Sequence, residues 1–179
     1  MTRGWRPGER RPDRESMLRV NQAGEYGATR IYAGQLAVLS RSSIAAHQIA
    51  RMAAQEKRHL ERFDRLMADR RVRPTALQPF WSVAGFALGA ATALLSERAA
   101  MACTDAVETE IDRHYSEQLV DLGNSDPELA ADIAEFQAEE LEHREIARVH
   151  GAQEALGYPL LSAAIRAGCR LAIELSKRV

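Results

Sequence analysis

A repeated arrangement of glutamate and histidine constrains this sequence more than any other feature. Two Glu-x-x-His pairs occur, Glu56 with His59 and Glu140 with His143, and the second pair follows the first by 84 positions. On an α-helix, residues three apart lie about 60° apart around the axis and about 4.5 Å along it, so both side chains can reach one metal ion. The pattern predicts two equivalent helices, each presenting a metal-binding pair.

A glutamate also precedes each pair at nearly the same distance. Glu25 lies 31 residues before Glu56, and Glu108 lies 32 residues before Glu140. Two tyrosines repeat at the same offset, each seven residues after its glutamate and on the same helical face: Tyr32 and Tyr115. The two halves of the chain are therefore related by an offset of 83 to 84 residues, which indicates a duplicated helical hairpin.

One glutamate from each of two helices, plus a Glu-x-x-His pair from each of two others, is the ligand set of ferritin-like di-iron and di-manganese carboxylate bundles. Four buried carboxylates repel one another, but two divalent cations neutralise them, and oxygen-rich ligation with one imidazole per ion favours iron or manganese over zinc. The predicted ligands are Glu25, Glu56, His59, Glu108, Glu140 and His143. The competing interpretation places these glutamates on solvated helix faces.

The remaining sequence predicts an all-α, ferritin-like four-helix bundle. Strand patterns are nearly absent, while Ala, Leu, Glu, Arg and Gln dominate at helical spacing. A connector over residues 71–79 contains Pro74 and Pro79, which a regular helix interior does not accept. We expect a flexible N-terminal extension over residues 1–15 and a single di-iron bundle domain over 16–179. The predicted helices are two hairpins (16–39 with 43–69, and 98–122 with 125–150), a long apolar crossover helix between them, and an extra C-terminal amphipathic helix over 159–177.

The composition excludes several classes of protein. Lysine plus arginine total 24 against 25 for aspartate plus glutamate, so a formal net charge of -1 gives no basic field for nucleic acid. Cys103 and Cys169 belong to no Cys-x-x-Cys pair, which excludes a disulfide framework and makes a reducing compartment the expectation. Among the basic residues only Lys57 and Lys177 are lysine, a bias of genome composition that indicates a bacterial source.

Two apolar segments indicate contact either with lipid or with the bundle itself. Residues 80–95 carry no charge over 16 positions, fewer than the ~20 of an ordinary membrane span. This crossover is either a helix buried inside the protein or one lying at a bilayer face. The last helix places Arg166, Arg170 and Lys177 near one face, which suits either an anionic membrane surface or a fifth helix with its arginines in water.

Side chains beside the predicted ligands complete the candidate site. Tyr32 and Tyr115 are either core aromatics or hydrogen-bond to the site, and His114 and Tyr115 are candidates for supporting the ligands or relaying electrons to the site. Gly24 and Gly27 flank Glu25 in mid-helix, where each costs about 1 kcal/mol relative to alanine. They allow either a close approach of two helices or a gap beside the metal for O2 or substrate.

Several longer stretches carry a family resemblance that covers nearly the whole chain from Leu18 onward. In order they are RVNQAGEYGATRIYAGQLAVL, QEKRHL, VRPT, GFALGAATALL, AMACTDAVE, EELEHREI and AGCRLAI. Together they resemble the demethoxyubiquinone (demethoxyubiquinol) hydroxylases of ubiquinone biosynthesis. The glutamates of QAGEYGA and AVE and the two Glu-x-x-His pairs match that family's iron ligands one by one, which gives the same six residues as the spacing.

The resemblance implies an O2-dependent di-iron monooxygenase that hydroxylates the ring of a polyprenylated demethoxyubiquinol. It implies two Fe2+ ions in the reduced resting form and O2 and NADH as co-substrates, although the sequence has no strand-GxGxxG-helix unit. It further implies peripheral attachment to the cytoplasmic face of the inner membrane and a lipid-binding accessory protein as partner. Homo-oligomerisation is left open.

Two other functions fit the same sequence features. A bacterioferritin-like ferroxidase uses the same ligand set, but it assembles as a large cage and lacks a long charge-free crossover. A non-enzymatic membrane adaptor would carry these carboxylates only as surface charge, and it would bind less than one metal ion per chain after anaerobic iron loading.

Overall fold

The computed structural model describes residues 13–178 of the chain. Within that range the structure confirms the predicted all-α class, with one short 3-10 turn besides the α-helices. The helices are α1 (Arg14–Val38), α2 (Ile44–Arg70), α3 (Gln78–Leu95), α4 (Glu97–Leu122), α5 (Pro127–Val149) and α6 (Tyr158–Ser176). Most of the predicted extension, residues 1–12, lies outside the described residues, and the last two residues assigned to it open α1.

Polar caps and prolines set the helix starts that the sequence predicts. The Asp13 carboxylate accepts a backbone N–H at the start of α1, and the Ser43 hydroxyl does the same for α2. Pro127 lies in the first turn of α5, where its missing N–H leaves no hydrogen bond unmade. Pro79 takes the same place in α3, so its assignment to the connector is wrong: the helix begins one residue before it.

Helices α1, α2, α4 and α5 form the four-helix bundle, with α1 packed on α2 and α4 packed on α5. Two apolar clusters fill the interior at different heights. One contains Tyr32, Ile49, Met52 and Met101, and the other contains Leu18, Phe63, Leu129 and Ile133. The predicted ligands lie at sequence positions between the two clusters on every helix, so the candidate site is at the middle of the bundle.

The crossover helix α3 lies against α1 with the two backbones in direct contact. A Cβ atom added at Gly89 would lie 1.9 Å from the Ile31 carbonyl oxygen, and one added at Gly34 would lie 2.1 Å from the Phe86 carbonyl oxygen. Only glycine fits at such distances. Among the described helices α3 alone is long and apolar enough to cross a membrane by length and composition, with 18 residues, a mean hydropathy of 1.2 and 22% of it buried.

Helix α6 packs against α4, and buried acids on α4 hold it there. Asp105 accepts a hydrogen bond from Tyr158 at the start of α6. Glu110 accepts hydrogen bonds from Arg166 and Arg170, so two cations of the predicted basic face point toward the bundle rather than away from it. Lys177 pairs with a glutamate of its own helix. Of the two interpretations of the last helix, the one that packs it on the bundle as a fifth helix describes α6. Arg166 and Arg170 are ion-paired with Glu110, however, rather than free in water.

Candidate metal centre

The six predicted ligands come from the four bundle helices and are all buried. They are Glu25 (α1), Glu56 and His59 (α2), Glu108 (α4), and Glu140 and His143 (α5). None exposes more than 1% of its surface. Ionisable side chains are almost never fully buried unless they are paired, and no lysine or arginine contacts these carboxylates within the described residues. The structure therefore excludes the interpretation that places them on solvated faces.

The ligand atoms fall into two overlapping groups. In each group, one ligand atom per residue lies within 4.8 Å of all the others. The groups are Glu25, Glu56, His59 and Glu140, and Glu56, Glu108, Glu140 and His143. Glu56 and Glu140 belong to both groups, which is the arrangement that two neighbouring metal ions with shared carboxylates require.

Unsatisfied polar atoms are concentrated in this cluster. Six buried side-chain atoms there have no hydrogen-bond partner: Glu25 Oε2, both Glu56 oxygens, His59 Nδ1, Glu108 Oε2 and Glu140 Oε1. Buried polar atoms are almost always hydrogen-bonded, so this concentration requires a physical explanation. Two divalent cations would accept these lone pairs and balance four carboxylate charges. The donor set therefore fits a pair of divalent metal ions.

Without cations the carboxylates cannot all be ionised. Burial, and next the charge of Glu140, raise the pKa of Glu108 well above its ordinary value of 4.5, and Glu56 is raised for the same two reasons. Burial lowers the pKa of His59, but Glu140 and Glu25 outweigh it and raise that pKa to about 11. The metal-free cluster therefore holds protons that metal ions would displace.

Partners on the outer side of the histidines determine which ring nitrogen faces the centre. His59 Nε2 lies 2.8 Å from Glu139 Oε2, and His143 Nε2 lies 3.0 Å from Gln55 Oε1. Because both partners offer an acceptor oxygen, each Nε2 donates a hydrogen bond to its partner and each Nδ1 faces the carboxylates, where a metal ion would replace any proton on it. Phe136 stacks on the His59 ring with centroids 4.0 Å apart, which holds the ring orientation.

The two tyrosines contact the cluster in a crossed arrangement. The Tyr32 hydroxyl donates to Glu108 Oε1 at 2.8 Å, and the Tyr115 hydroxyl donates to Glu25 Oε1. Each tyrosine therefore serves the glutamate of the other hairpin. Burial, and next the charge of its glutamate partner, raise the pKa of each tyrosine well above 10, so both phenols stay protonated as donors.

His114 lies outside the cluster, one residue before Tyr115. Its Nε2 is 2.7 Å from Nε2 of Gln118, which also donates to Asn21 Oδ1 at 2.7 Å. Burial, and next the positive charge of Lys177, lower the pKa of His114 to about 4, so it is a neutral hydrogen-bond acceptor at pH 7. Of the two predicted relay residues, only Tyr115 contacts the cluster directly, through Glu25. The relay role of His114 and Tyr115 stays a prediction.

Residues 12–176 match the family described as Ubiquinone biosynthesis protein COQ7. The chain belongs to the COQ7 family. The match spans nearly the whole chain and every residue of the candidate centre, and it confirms the family that the sequence resemblance indicates.

Relatives within the COQ7 family come from bacteria and eukaryotes. The chain is 57% identical over 165 residues to the 3-demethoxyubiquinol 3-hydroxylase of Rhodospirillum rubrum, covering 92% of this chain and 78% of that protein. It is 52% identical over 169 residues to the human mitochondrial NADPH-dependent 3-demethoxyubiquinone 3-hydroxylase, covering 92% and 77%. It is 39% identical over 181 residues to the mitochondrial 5-demethoxyubiquinone hydroxylase of Saccharomyces cerevisiae, covering 92% and 78%.

An apolar cavity lies between helices of this COQ7-family chain, two of which, α1 and α4, also carry the candidate ligands Glu25 and Glu108. It has a volume of about 470 Å³ between α1, α3, α4 and α6, and Glu110 is the only charged residue among the described residues that line it. A Cβ atom added at Gly24 or Gly27 would meet nothing within 4 Å, so both glycines border open space. The backbone of Gly27 is also close to α3, since a Cβ atom added at Gly85 would lie 3.1 Å from the Gly27 carbonyl oxygen. Val107 lines the cavity directly before Glu108 in the chain. Its size and lining suit an apolar small molecule.

Sequence reasoning missed Gln55 and Glu139, the outer partners of the histidines. The repeat offset could have found them, because residue 139 follows residue 55 by the same 84 positions that relate the two Glu-x-x-His pairs. Each directly precedes the glutamate of its pair. The signal was weak because the two positions carry different residue types.

Proposed function

We propose that this chain hydroxylates the ring of a polyprenylated demethoxyubiquinol with O2, as one step of ubiquinone biosynthesis. Membership of the COQ7 family and the names of its relatives support the reaction. The observation that carries the proposal is the pair of overlapping buried ligand groups, together with an apolar cavity lined by Gly24 and Val107, the chain neighbours of Glu25 and Glu108. Such a centre combines groups able to hold redox-active metal with space for a lipid-like substrate.

The metal in this proposal is a pair of iron ions. The chain would hold one ion with Glu25 and His59 and the other with Glu108 and His143, and Glu56 and Glu140 belong to both ligand groups. When bound, two ferrous ions supply electrons for the reduction of O2. The chain's own residues orient the ligands, because Tyr32 and Tyr115 donate hydrogen bonds to the unshared carboxylates and burial excludes water from the cluster.

The proposed reaction balances with one two-electron reductant. A ring C–H becomes C–OH, the second oxygen atom leaves as water, and two electrons and two protons are consumed. The sequence resemblance implies NADH, whereas some relatives are named NADPH-dependent. We therefore propose a reduced nicotinamide nucleotide as the electron source. Tyr115 and His114 remain the proposed relay, since Tyr115 contacts Glu25 and His114 is its neighbour on α4.

The apolar cavity is the proposed binding site for the substrate. Glu25 and Glu108 belong to the two bundle helices that line it, so a ring at the inner end of the cavity would lie next to the centre. The isoprenoid tail would then extend along the apolar lining between α3 and α6. Gly24 and Gly27 support this placement because they leave room where any other residue would add a side chain.

Exposed apolar side chains on α3 and α6 support attachment to a lipid surface. They are Phe80, Val83, Leu94 and Leu95 on α3, and Leu160 and Leu171 on α6. These two helices flank the cavity, so a substrate could pass from lipid into it. We propose a peripheral position on the cytoplasmic face of the inner membrane. A lipid-binding accessory protein and a homo-oligomer stay proposals that rest on the family resemblance.

A metal-count experiment tests the proposed centre. After anaerobic iron loading, the parent chain should hold about two ions and hydroxylate the quinol. Glu140→Ala removes a carboxylate that both groups share, so iron should fall below one ion per chain and turnover should disappear with helix content retained. Glu142→Ala, on an exposed residue of the same helix, should keep both properties. An active parent without iron, or full turnover by Glu140→Ala, would overturn the proposal.

A cavity-filling variant tests the proposed substrate site. Gly27→Leu should raise KM for a long-tailed quinol about 10-fold or more, because its side chain occupies the proposed tail path, while Gly27→Ala should change KM little. Iron content should be the same in both variants. An unchanged KM in a folded Gly27→Leu protein contradicts the assignment of the cavity. A protein that oxidises Fe2+ but leaves quinols unchanged would instead be a ferroxidase.

A further inference from the structure

Gln55 and Glu139 form a polar link behind the two candidate histidine ligands. His59 Nε2 donates to Glu139 Oε2 at 2.8 Å, and His143 Nε2 donates to Gln55 Oε1 at 3.0 Å. The link is closed by a third contact, in which the Gln55 amide donates to Glu139 Oε2 at 3.4 Å. The two histidines of opposite hairpins are therefore joined through one amide and one carboxylate.

Residue types in this link are not interchangeable. Gln55 uses its carbonyl oxygen toward His143 and its NH2 group toward Glu139, so only an amide can serve both partners. A glutamate at position 55 would have no proton to donate and would face the carboxylate of Glu139. On the outer side, Arg58 donates to both oxygens of Glu139 at 3.0 and 2.7 Å, which keeps that carboxylate ionised and fixed.

The link makes the two pseudo-equivalent halves of the centre chemically different. The outer partner of His59 is a carboxylate, which makes an imidazole a stronger electron donor to a metal than a neutral partner does. The outer partner of His143 is a neutral amide. The six candidate ligands themselves are matched between the halves, so this difference comes from the residues behind them.

We propose that Gln55 and Glu139 are a positioning pair that holds both histidines with Nδ1 toward the centre and makes the ion site of His59 the tighter of the two. This inference rests on the proposed metal centre. It predicts that metal ions fill the centre in sequence, with the group of Glu25, Glu56, His59 and Glu140 occupied first.

Stepwise binding of Co2+ to the metal-free full-length chain tests the inference, followed by visible absorbance and calorimetry. The parent should bind two ions with separable dissociation constants. Glu139→Gln gives both histidines an amide partner, so the tighter step should weaken about 10-fold or more and the two constants should converge. Glu142→Gln, a matched exchange on an exposed position of α5, should bind as the parent does.

An exchange of the two residues provides a second measurement. The double variant Gln55→Glu plus Glu139→Gln reverses the outer partners, so the first Co2+ should now broaden and shift the ring signals of His143 before those of His59 in NMR spectra. A parent chain that binds no Co2+ refutes the proposed metal centre itself. A parent that binds two ions, with Glu139→Gln giving unchanged constants or the double variant an unchanged order of filling, refutes only the role of the pair.

Discussion

Glu108 and Glu110 lie two residues apart on α4 and both are buried, yet their surroundings are opposite. Three arginines donate hydrogen bonds to Glu110: Arg166 at 2.7 Å, Arg170 at 2.8 Å and Arg113 at 3.0 Å. Glu108 instead faces Tyr32 and the other carboxylates of the centre. Within the described residues, arginines therefore pair with Glu110, whereas Glu108 has no arginine or lysine partner.

This contrast appears in the protonation of the two carboxylates. Burial raises the pKa of Glu110, but Arg166 and Arg113 outweigh it and lower that pKa below 4.5. Burial and Glu140 raise the pKa of Glu108 well above the same value. A buried carboxylate with its own arginines is permanently ionised and joins two helices. A buried carboxylate without them is suited to a positive charge that comes from outside the chain.

The largest expected effect follows from removing the charge of Glu108. Glu108→Gln should lower the hydroxylation rate at least about 100-fold, equivalent to about 2.7 kcal/mol of transition-state stabilisation, because one ion would lose an unshared ligand. Iron content should fall toward one ion per chain. The matched variant Glu110→Gln should keep the parental iron content. If Glu108→Gln kept the parental turnover, Glu108 would not be a metal ligand, and the proposed difference in role between Glu108 and Glu110 would be wrong.

The next largest effect is on stability at the paired carboxylate. Glu110→Gln leaves Arg166 and Arg170 without their anion and loosens α6 from α4. Breaking a buried ion pair costs several kcal/mol, and since these arginines are partly exposed we expect a loss of about 2 kcal/mol in the free energy of unfolding. Urea denaturation of the metal-free chain at pH 7 measures it. No loss would mean that α6 is held by its apolar contacts alone.

A pH profile separates the two kinds of carboxylate. Groups with a raised folded-state pKa, Glu56 and Glu108, stabilise the metal-free fold below their ordinary value of 4.5, and this contribution is lost as pH rises through the raised pKa. Glu110, with a lowered pKa, contributes above 4.5 and loses its contribution as pH falls. In the presence of EDTA, the parent should therefore lose stability more steeply than Glu108→Gln as pH rises above 4.5, by up to about 1.4 kcal/mol per pH unit for each proton that unfolding releases. Equal slopes would argue against a proton-holding cluster.

The smallest expected effect has the opposite sign. Glu108→Gln in the metal-free chain at pH 7 should raise the free energy of unfolding by about 1 kcal/mol, because a neutral amide replaces a carboxyl that must either take up a proton on folding or add to the repulsion among the buried carboxylates. The same exchange at Glu110 lowers stability. Denaturation of the two variants side by side in EDTA measures both, and a loss of stability in each would show that Glu108 has a structural partner in the fold.

Helix positions and the grouping of the candidate ligands were predictable because both depend on spacing along the chain. The bundle helices and α6 begin and end within two residues of the predicted bounds. The six side chains converge as the 83- to 84-residue offset predicts, because equivalent positions of a duplicated hairpin face a common interior. Their role as metal ligands stays a prediction.

Other features depend on how helices face each other, which spacing does not determine. Tyr32 and Glu25 share a helix face, yet Tyr32 contacts Glu108, because α1 also packs against α4 of the other hairpin. The spacing of the arginines on α6 is typical of a basic surface. In the structure they turn toward Glu110 instead, and nothing in the sequence pattern marked Glu110 as their partner. Gly24 and Gly27 left a choice between contact and space that only the position of α3 and α6 resolves.

Neither hairpin alone contains a complete four-residue group. Each group takes three residues from one hairpin and its fourth from the other, with Glu140 completing the first and Glu56 the second. If the polypeptide were cleaved in the loop over 71–77, each fragment would carry one hairpin. Metal binding would then require both fragments, so metal uptake and reassociation of the fragments would be coupled. Two copies of a single hairpin would together provide four glutamates and two histidines, the same ligand types as in this chain. In that comparison, α3 is the segment that connects the two hairpins into one polypeptide.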